Sequence, residues 1–348
     1  MTTTYIGTTF PETYQWHINE VTLIDNIKNQ IDAKYPDTQN LFINTTWFGP
    51  QFNNGQYEKL LALIKQKKQF NNLFMLAAAD PVFLNSDQIA NIVSETKSTN
   101  VFLLGHFDSD YQFNFHSTVL PTYFKSYTTE ELCLTDLNWL FVNYNRKPRE
   151  HRTELVQKII DANLKEFGVM SLGKNDKTYS KQEEVLCLLL GESIEEYEEG
   201  NWSMPDTFGI PHDIHTLGNI ETWRTHFLTV VSETEFWPWD NTFVSEKTWK
   251  PIIGLRPFVL NGQTKIYKYL RDNGFYTFNH YWPHIEMEEL PEFEVHNSLI
   301  NVIKFLSTLS NTTLLEMYAD MLPALEHNRN RFFEFANEQQ YKIDHIFE

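Results

Sequence analysis

Residues 73–108 read LFMLAAADPVFLNSDQIANIVSETKSTNVFLLGHFD, and the alternation within this stretch decides the fold class. Leu73 to Ala78 is an apolar run of strand length. Ser86 to Thr96 then sets Ile89, Ile92 and Val93 on one helical face, and Val101 to Leu104 is a second apolar run. Strand, helix and strand in that order make one βαβ unit. Upstream, Leu41 to Thr45 (LFINT) is a further strand, and Gly55 to Lys67 is a helix with Leu60, Leu61 and Ile64 on its apolar side. The prediction is an α/β protein with mostly parallel sheets. Each run ends in polar residues, Thr45-Thr46, Asp80-Pro81 and Gly105-His106-Phe107-Asp108. Ligands of open α/β sheets sit beyond the carboxyl ends of the strands, so Asp80, His106 and Asp108 are candidates for chemistry. A local alternative has Asp108 capping the following turn and His106 packing on Phe107.

A second series begins at Leu140. Leu140 to Val142 is strand-like, Arg149 to Leu164 is a helix with Leu155, Val156, Ile159 and Ile160 on one side, and Phe227 to Val231 and Pro257 to Leu260 are further strands. Ser245 is the expected N-cap of a short helix opening at Glu246 and stopping at Gly254. The pattern breaks near residues 128–138. The expected domains are therefore 1–132 and 133–310, followed by a helical segment, 311–348, that crosses back to the first domain.

Composition narrows the classes. The chain has 348 residues, of which 41% are hydrophobic, enough for two globular domains; 13 glycines and 14 prolines without a period exclude collagen-like and repeat architectures. No apolar run approaches the roughly 20 residues that span a bilayer, and the first residues lack the pattern of a secretory signal, so a cytoplasmic location is expected. Two cysteines, Cys133 and Cys187, cannot form a disulfide framework or a four-thiolate zinc site. A formal charge of -18 disfavours nonspecific nucleic-acid binding.

Against that charge, residues 143–152 (NYNRKPREHR) gather Arg146, Lys147, Arg149 and Arg152 between a strand and a helix. Free backbone amides, a helix dipole and guanidinium groups at such a turn suit phosphate oxygens, with Asn145 beside them. The same cations also suit a solvated turn paired with surface carboxylates. Residues 241–250 (NTFVSEKTWK) are the second block. Glu246 can accept two hydroxyl hydrogen bonds beside Lys247 and the helix amides, a combination that fits a ribose next to a diphosphate; an ordinary acidic first turn is the alternative. His212 and His215 lack an evident third metal ligand, residues 192–199 (ESIEEYEE) read as a solvated acidic face, and Trp237, Trp239 and Trp282 suit either stacking or core. No GxGxxG, Walker, HExxH or GxSxG pattern occurs.

The stretch FVSEKTWKPIIGLRPFVLNG, followed by KYLRDNGFYTF, resembles the donor-binding segment of fucosyltransferase-like glycosyltransferases, especially those encoded by bacteriophages. LFVNYNRKPREHR resembles the arginine-bearing opening of their second domain. The likeness covers about residues 138–282. It implies the GT-B arrangement, two Rossmann-like domains facing a cleft, with the nucleotide sugar on the second and the acceptor on the first. It also implies Arg146 on the diphosphate, Glu246 and Lys247 on the ribose and phosphate, and Phe243 against the nucleotide, where related enzymes can have tyrosine.

The resulting expectation is an inverting, metal-independent glycosyltransferase that moves a sugar from a nucleotide diphosphate to an acceptor hydroxyl, with the nucleotide sugar as substrate and no cofactor. Asn145, Arg146, Arg149, Arg152, Phe243, Ser245, Glu246 and Lys247 are the candidate donor contacts. Asp108, His106 and Asp80 are the candidate bases. The acceptor is a glycan, a small molecule or a modified nucleobase. The alternatives are a non-catalytic nucleotide-sugar-binding protein and a transferase acting on modified DNA bases.

Overall fold

A computed structural model describes residues 3–7, 15–45, 54–66, 69–78, 84–145, 149–172, 217, 220–236, 242–282 and 290–348. Asp80, Arg146, Lys147, Cys187, residues 192–199, His212, His215, Trp237 and Trp239 lie outside them. The chain is mixed α/β, with one parallel sheet of five strands and another of four. It divides into two compact units.

The first unit comprises residues up to Val119, a short segment ending at Phe243, and Ala336–Glu348. Its elements are β1 (Thr4–Ile6), α1 (Gln15–Lys34), β2 (Asn40–Asn44), α2 (Asn54–Lys65), β3 (Asn72–Ala77), α3 (Ser86–Thr96), β4 (Asn100–Gly105), β5 (Tyr111–Gln112) and α4 (Phe115–Val119). The strands follow one another across the sheet in chain order, β1-β2-β3-β4-β5, all parallel. Strands β2 and β3 are buried along their whole length, which is why they read as continuous apolar runs. Leu41, Ile43, Leu73 and Met75 join Leu60, Leu61, Ile64 and Ile92 from α2 and α3 in one core. The alternating residues Phe42, Phe74 and Phe102 belong to the opposite face. Phe74 and Phe102 stack at 4.6 Å, and Tyr35 and Phe347 close on them. At the strand starts, register-matched Asn40, Asn72 and Asn100 form an amide ladder, each link 2.8 Å.

The second unit comprises Leu120–Trp239 and Val244–Phe335. Its elements are α5 (Pro121–Phe124), α6 (Thr129–Leu132), β6 (Trp139–Asn145), α7 (Glu150–Asp161), β7 (Gly168–Leu172), α8 (Ile220–Arg224), β8 (His226–Ser232), α9 (Glu246–Ile253), β9 (Phe258–Asn261), α10 (Lys265–Asp272) and α11 (Glu292–Ser307). The long helix α12 (Asn311–Asp344) belongs to this unit as far as Phe335, and its residues from Ala336 belong to the first. There Gln30 donates to the Ile343 carbonyl at 2.8 Å, and the Asn114 amide donates to Gln339 at 2.9 Å. Leu120, Phe124 and Leu132 are buried in the second unit's core, which groups residues 120–132 with that unit.

The order of the second sheet is β7-β6-β8-β9. The chain leaves β6 for β7 on one side, then returns to place β8 and β9 on the other. Strand order therefore reverses between β6 and β8, which makes a topological switch point, the place where open α/β sheets hold ligands beyond their carboxyl ends. Among the described strands of the first unit there is no such reversal. Arg256, fully buried, locks the far side of this core: it donates to the carbonyls of Trp223, Leu132 and Leu255 at 2.5 to 3.0 Å and to the Tyr318 hydroxyl at 3.1 Å. Burial lowers its pKa to about 10, so it remains a cation. No helix among the described residues is long and apolar enough to cross a membrane.

Candidate functional site

The switch point is built on Glu233, the first residue beyond β8. It is fully buried and accepts four hydrogen bonds. Oε1 accepts from the Ser245 amide at 3.1 Å and the Thr248 hydroxyl at 2.6 Å, while Oε2 accepts from the Thr234 amide at 2.9 Å and the Ser245 hydroxyl at 2.5 Å. The carboxylate thereby fixes the start of α9. Ser245 is its N-cap, as the sequence suggests; its hydroxyl donates to Glu233 while its oxygen accepts from the Lys247 amide at 3.3 Å. Gly262 makes the approach possible, because a Cβ there would stand 2.8 Å from the Glu233 Cβ.

The start of α7 meets the same segment. The Glu233 carbonyl accepts from His151 Nε2 at 3.0 Å and from Arg152 at 2.8 Å. Arg149, in the N-cap position of α7, donates to the Thr234 carbonyl and lies 3.5 Å from the Glu235 carboxylate. Lys247 Nζ sits 2.5 Å from Glu246 Oε1 and 3.3 Å from the Thr234 hydroxyl. Burial pushes the Lys247 ammonium down from its ordinary range, and the Glu246 charge opposes that shift. The structure thus brings Arg149, Arg152, Ser245, Glu246 and Lys247 together around residues 233–235. Arg152 is almost wholly buried, whereas about a quarter of the Arg149 and Lys247 side chains remains accessible.

Behind the cations lies a buried polar network. Asn143 donates to the Val230 carbonyl at 2.7 Å and to the Ser232 hydroxyl at 3.1 Å, and Asn145 donates to Asn143 Oδ1 at 2.6 Å. Asn261 donates to the His151 carbonyl at 3.1 Å and accepts from His296 Nε2 at 3.0 Å. The rings of His151, Phe236 and His296 stack in that order, with centroids 5.3 and 5.0 Å apart. Desolvation lowers the pKa of His151 to about 3 and of His296 to about 4, and His296 Nδ1 lies 3.3 Å from the Glu154 carboxylate.

The first-unit candidates are arranged differently. Gly105 ends β4 at φ +87, a left-handed conformation suited to glycine, and the His106 amide donates to the Ala77 carbonyl at 2.7 Å. The His106 ring is buried, edge-on to Phe243 at 4.6 Å and 6.3 Å from His116. Phe243, expected against a nucleotide, lies in this buried cluster, also edge-on to His116. Burial, with His116 adding to it, lowers the His106 pKa to about 3. Asp108 is exposed on the following turn, and the adjacent Ser109 hydroxyl donates to the Leu103 carbonyl at 2.5 Å. Trp282 is buried core. Cys133 is a free thiol, partly buried, and burial raises its pKa. No group of three or more His, Cys, Asp or Glu side chains that could hold a metal occurs among the described residues.

Sequence reading missed Glu233, Asn143, His151, Asn261 and His296. The one available signal for Glu233 was an acid two residues after the apolar run FLTVV. No family model, curated protein or solved structure matches the chain.

Proposed function

We propose that the protein is a glycosyltransferase that moves a sugar from a nucleotide diphosphate to an acceptor hydroxyl, with inversion and without a metal. The observation that carries the reading is the convergence of Arg149, Lys247 and the starts of α7 and α9 at the one switch point among the described strands. The likeness of residues 138–282 to fucosyltransferase-like enzymes supports it, with Arg146 as a further diphosphate contact.

In the proposed reaction the acceptor hydroxyl loses its proton as its oxygen bonds to the anomeric carbon. The bond from that carbon to the diphosphate breaks, and its electron pair leaves on a phosphate oxygen. Cations fixed before the reaction stabilise that developing charge without reorganising. We assign the proton to Asp108 rather than His106, because the His106 ring is buried against Phe243 whereas Asp108 is exposed at the end of the strand segment.

Transfer or hydrolysis of radiolabelled sugar from GDP-, UDP-, ADP- and dTDP-sugars tests this reading. The expected result is turnover with at least one donor, unchanged by EDTA and reduced about 10² to 10⁴-fold in Asp108→Asn with an unchanged melting temperature. Binding without turnover would make the chain a nucleotide-sugar-binding protein. Turnover lost on chelation and restored by Mg²⁺ would overturn the metal-free mechanism.

A further inference from the structure

The site around residues 233–235 is rich in donors, and one buried atom in it has the opposite character. Asn145, the last residue of β6, is 1% exposed. The orientation of its amide is fixed by a chain of bonds that ends on a backbone carbonyl. The Val230 carbonyl can only accept, so the group facing it is Asn143 Nδ2, and Asn143 Oδ1 is therefore the atom 2.6 Å from Asn145. Asn145 must turn its NH₂ back toward Asn143. Its carbonyl oxygen is thereby left for another donor; it is buried and has no hydrogen-bond partner among the described residues.

A buried amide oxygen without a donor costs free energy that a bound group can recover. A phosphate oxygen cannot satisfy it, since both atoms are acceptors. Asn143, which accepts from Asn145 and donates to the Ser232 hydroxyl, ties Asn145 to the start of the segment on which the cations converge.

We propose that Asn145 Oδ1 accepts a hydrogen bond from a hydroxyl or ring N–H of the ligand adjoining the phosphates, and that it selects ligands by that group. This rests on the anion-site reading above. It makes Asn145 a specificity contact that distinguishes a nucleotide from a bare diphosphate. Sites built around such a bond reject analogues lacking the donor more strongly than apolar pockets reject a missing methylene.

The test is calorimetry of the full chain and of Asn145→Ala with inorganic pyrophosphate, with GDP, UDP and ADP, and with the corresponding nucleotide sugars. Pyrophosphate should bind both proteins within about twofold, because it offers no hydroxyl or N–H of this kind. A nucleotide or nucleotide sugar should bind the variant about five- to tenfold more weakly, the loss of one neutral hydrogen bond. A loss already present with the nucleoside diphosphate assigns the donor to the ribose or base; a loss only with the nucleotide sugar assigns it to the sugar. Equal losses for pyrophosphate and nucleotides, or no loss for any probe, would overturn the proposal, the latter meaning that water satisfies the oxygen. Pyrophosphate and nucleotides all failing to bind the unaltered protein would refute the anion site and this inference together. If Asn145→Ala does not fold, Asn145→Ser, which also removes the carbonyl, is measured against the same probes.

Discussion

Replacing Glu233 by glutamine keeps the shape of the side chain and removes its charge, and the four bonds it accepts allow the cost to be worked out. Each carboxylate oxygen serves one backbone N–H and one hydroxyl: Ser245 amide with Thr248 on Oε1, Thr234 amide with Ser245 hydroxyl on Oε2. Whichever oxygen becomes the NH₂ group, it confronts a backbone N–H that cannot reverse. A hydroxyl can rotate to accept, but the amide is left buried and unsatisfied, at about 1 to 3 kcal/mol. The remaining bonds fall from charged to neutral strength, which brings the expected loss for Glu233→Gln to about 3 kcal/mol. That is a large share of the roughly 5 to 15 kcal/mol by which a domain is stable. Urea unfolding followed by tryptophan fluorescence reads it, since Trp249 in α9 is fully buried in the same unit. An unchanged midpoint with an unchanged slope would refute the role given to Glu233.

Acid should destabilise the fold through its buried imidazoles. His106, His151 and His226 have pKa values lowered to about 3 and His296 to about 4, in each case chiefly by burial, against 6.5 when unfolded. The unfolded chain therefore binds more protons between those limits, so this stability is complete above about pH 6.5 and is lost as pH falls toward 3, with a slope per histidine approaching about 1.4 kcal/mol per pH unit. A flat stability profile between pH 6.5 and 4.5 would contradict the burial of these rings. Gly105→Ala should cost about 1 to 3 kcal/mol, because a Cβ there would stand 2.2 Å from the Ala77 carbonyl oxygen on a backbone at φ +87; denaturant midpoints within experimental error of the parent would exclude that strain.

Much of the fold was legible because parallel strands buried on both faces are continuous apolar runs. Leu41 to Thr45, Leu73 to Ala78 and Val101 to Leu104 each lie within a residue or two of β2, β3 and β4, and the Ser245 cap and Gly254 stop bracket α9. The strands that escaped notice lack that mark: β1 is three half-buried residues, β5 is two, and β7 begins at Gly168 and is buried only from Met170. Cations between a strand and a helix announce themselves locally, so Arg149, Arg152 and Lys247 could be read from spacing. Glu233 could not, because three of its four bonds come from partners 12 and 15 residues away, and the link from Asn261 to His151 spans 110 residues. Before its partners are known, a buried carboxylate at a strand end looks like any surface acid. Phe243 shows the reverse limit, since an aromatic beside a capped helix is equally compatible with a ligand face and with the buried cluster on His106 and His116 that it joins.

The most direct measurement is titration calorimetry of a nucleoside diphosphate panel against the unaltered protein, Arg149→Ala and Lys247→Ala. The site at the β6/β8 switch point predicts binding of at least one member, weakened about tenfold or more in each variant as a charge-assisted phosphate bond of roughly 1.5 to 3 kcal/mol is removed, with both variants still folded. Binding of equal affinity in all three proteins would show that the diphosphate is held elsewhere and contradict the assignment.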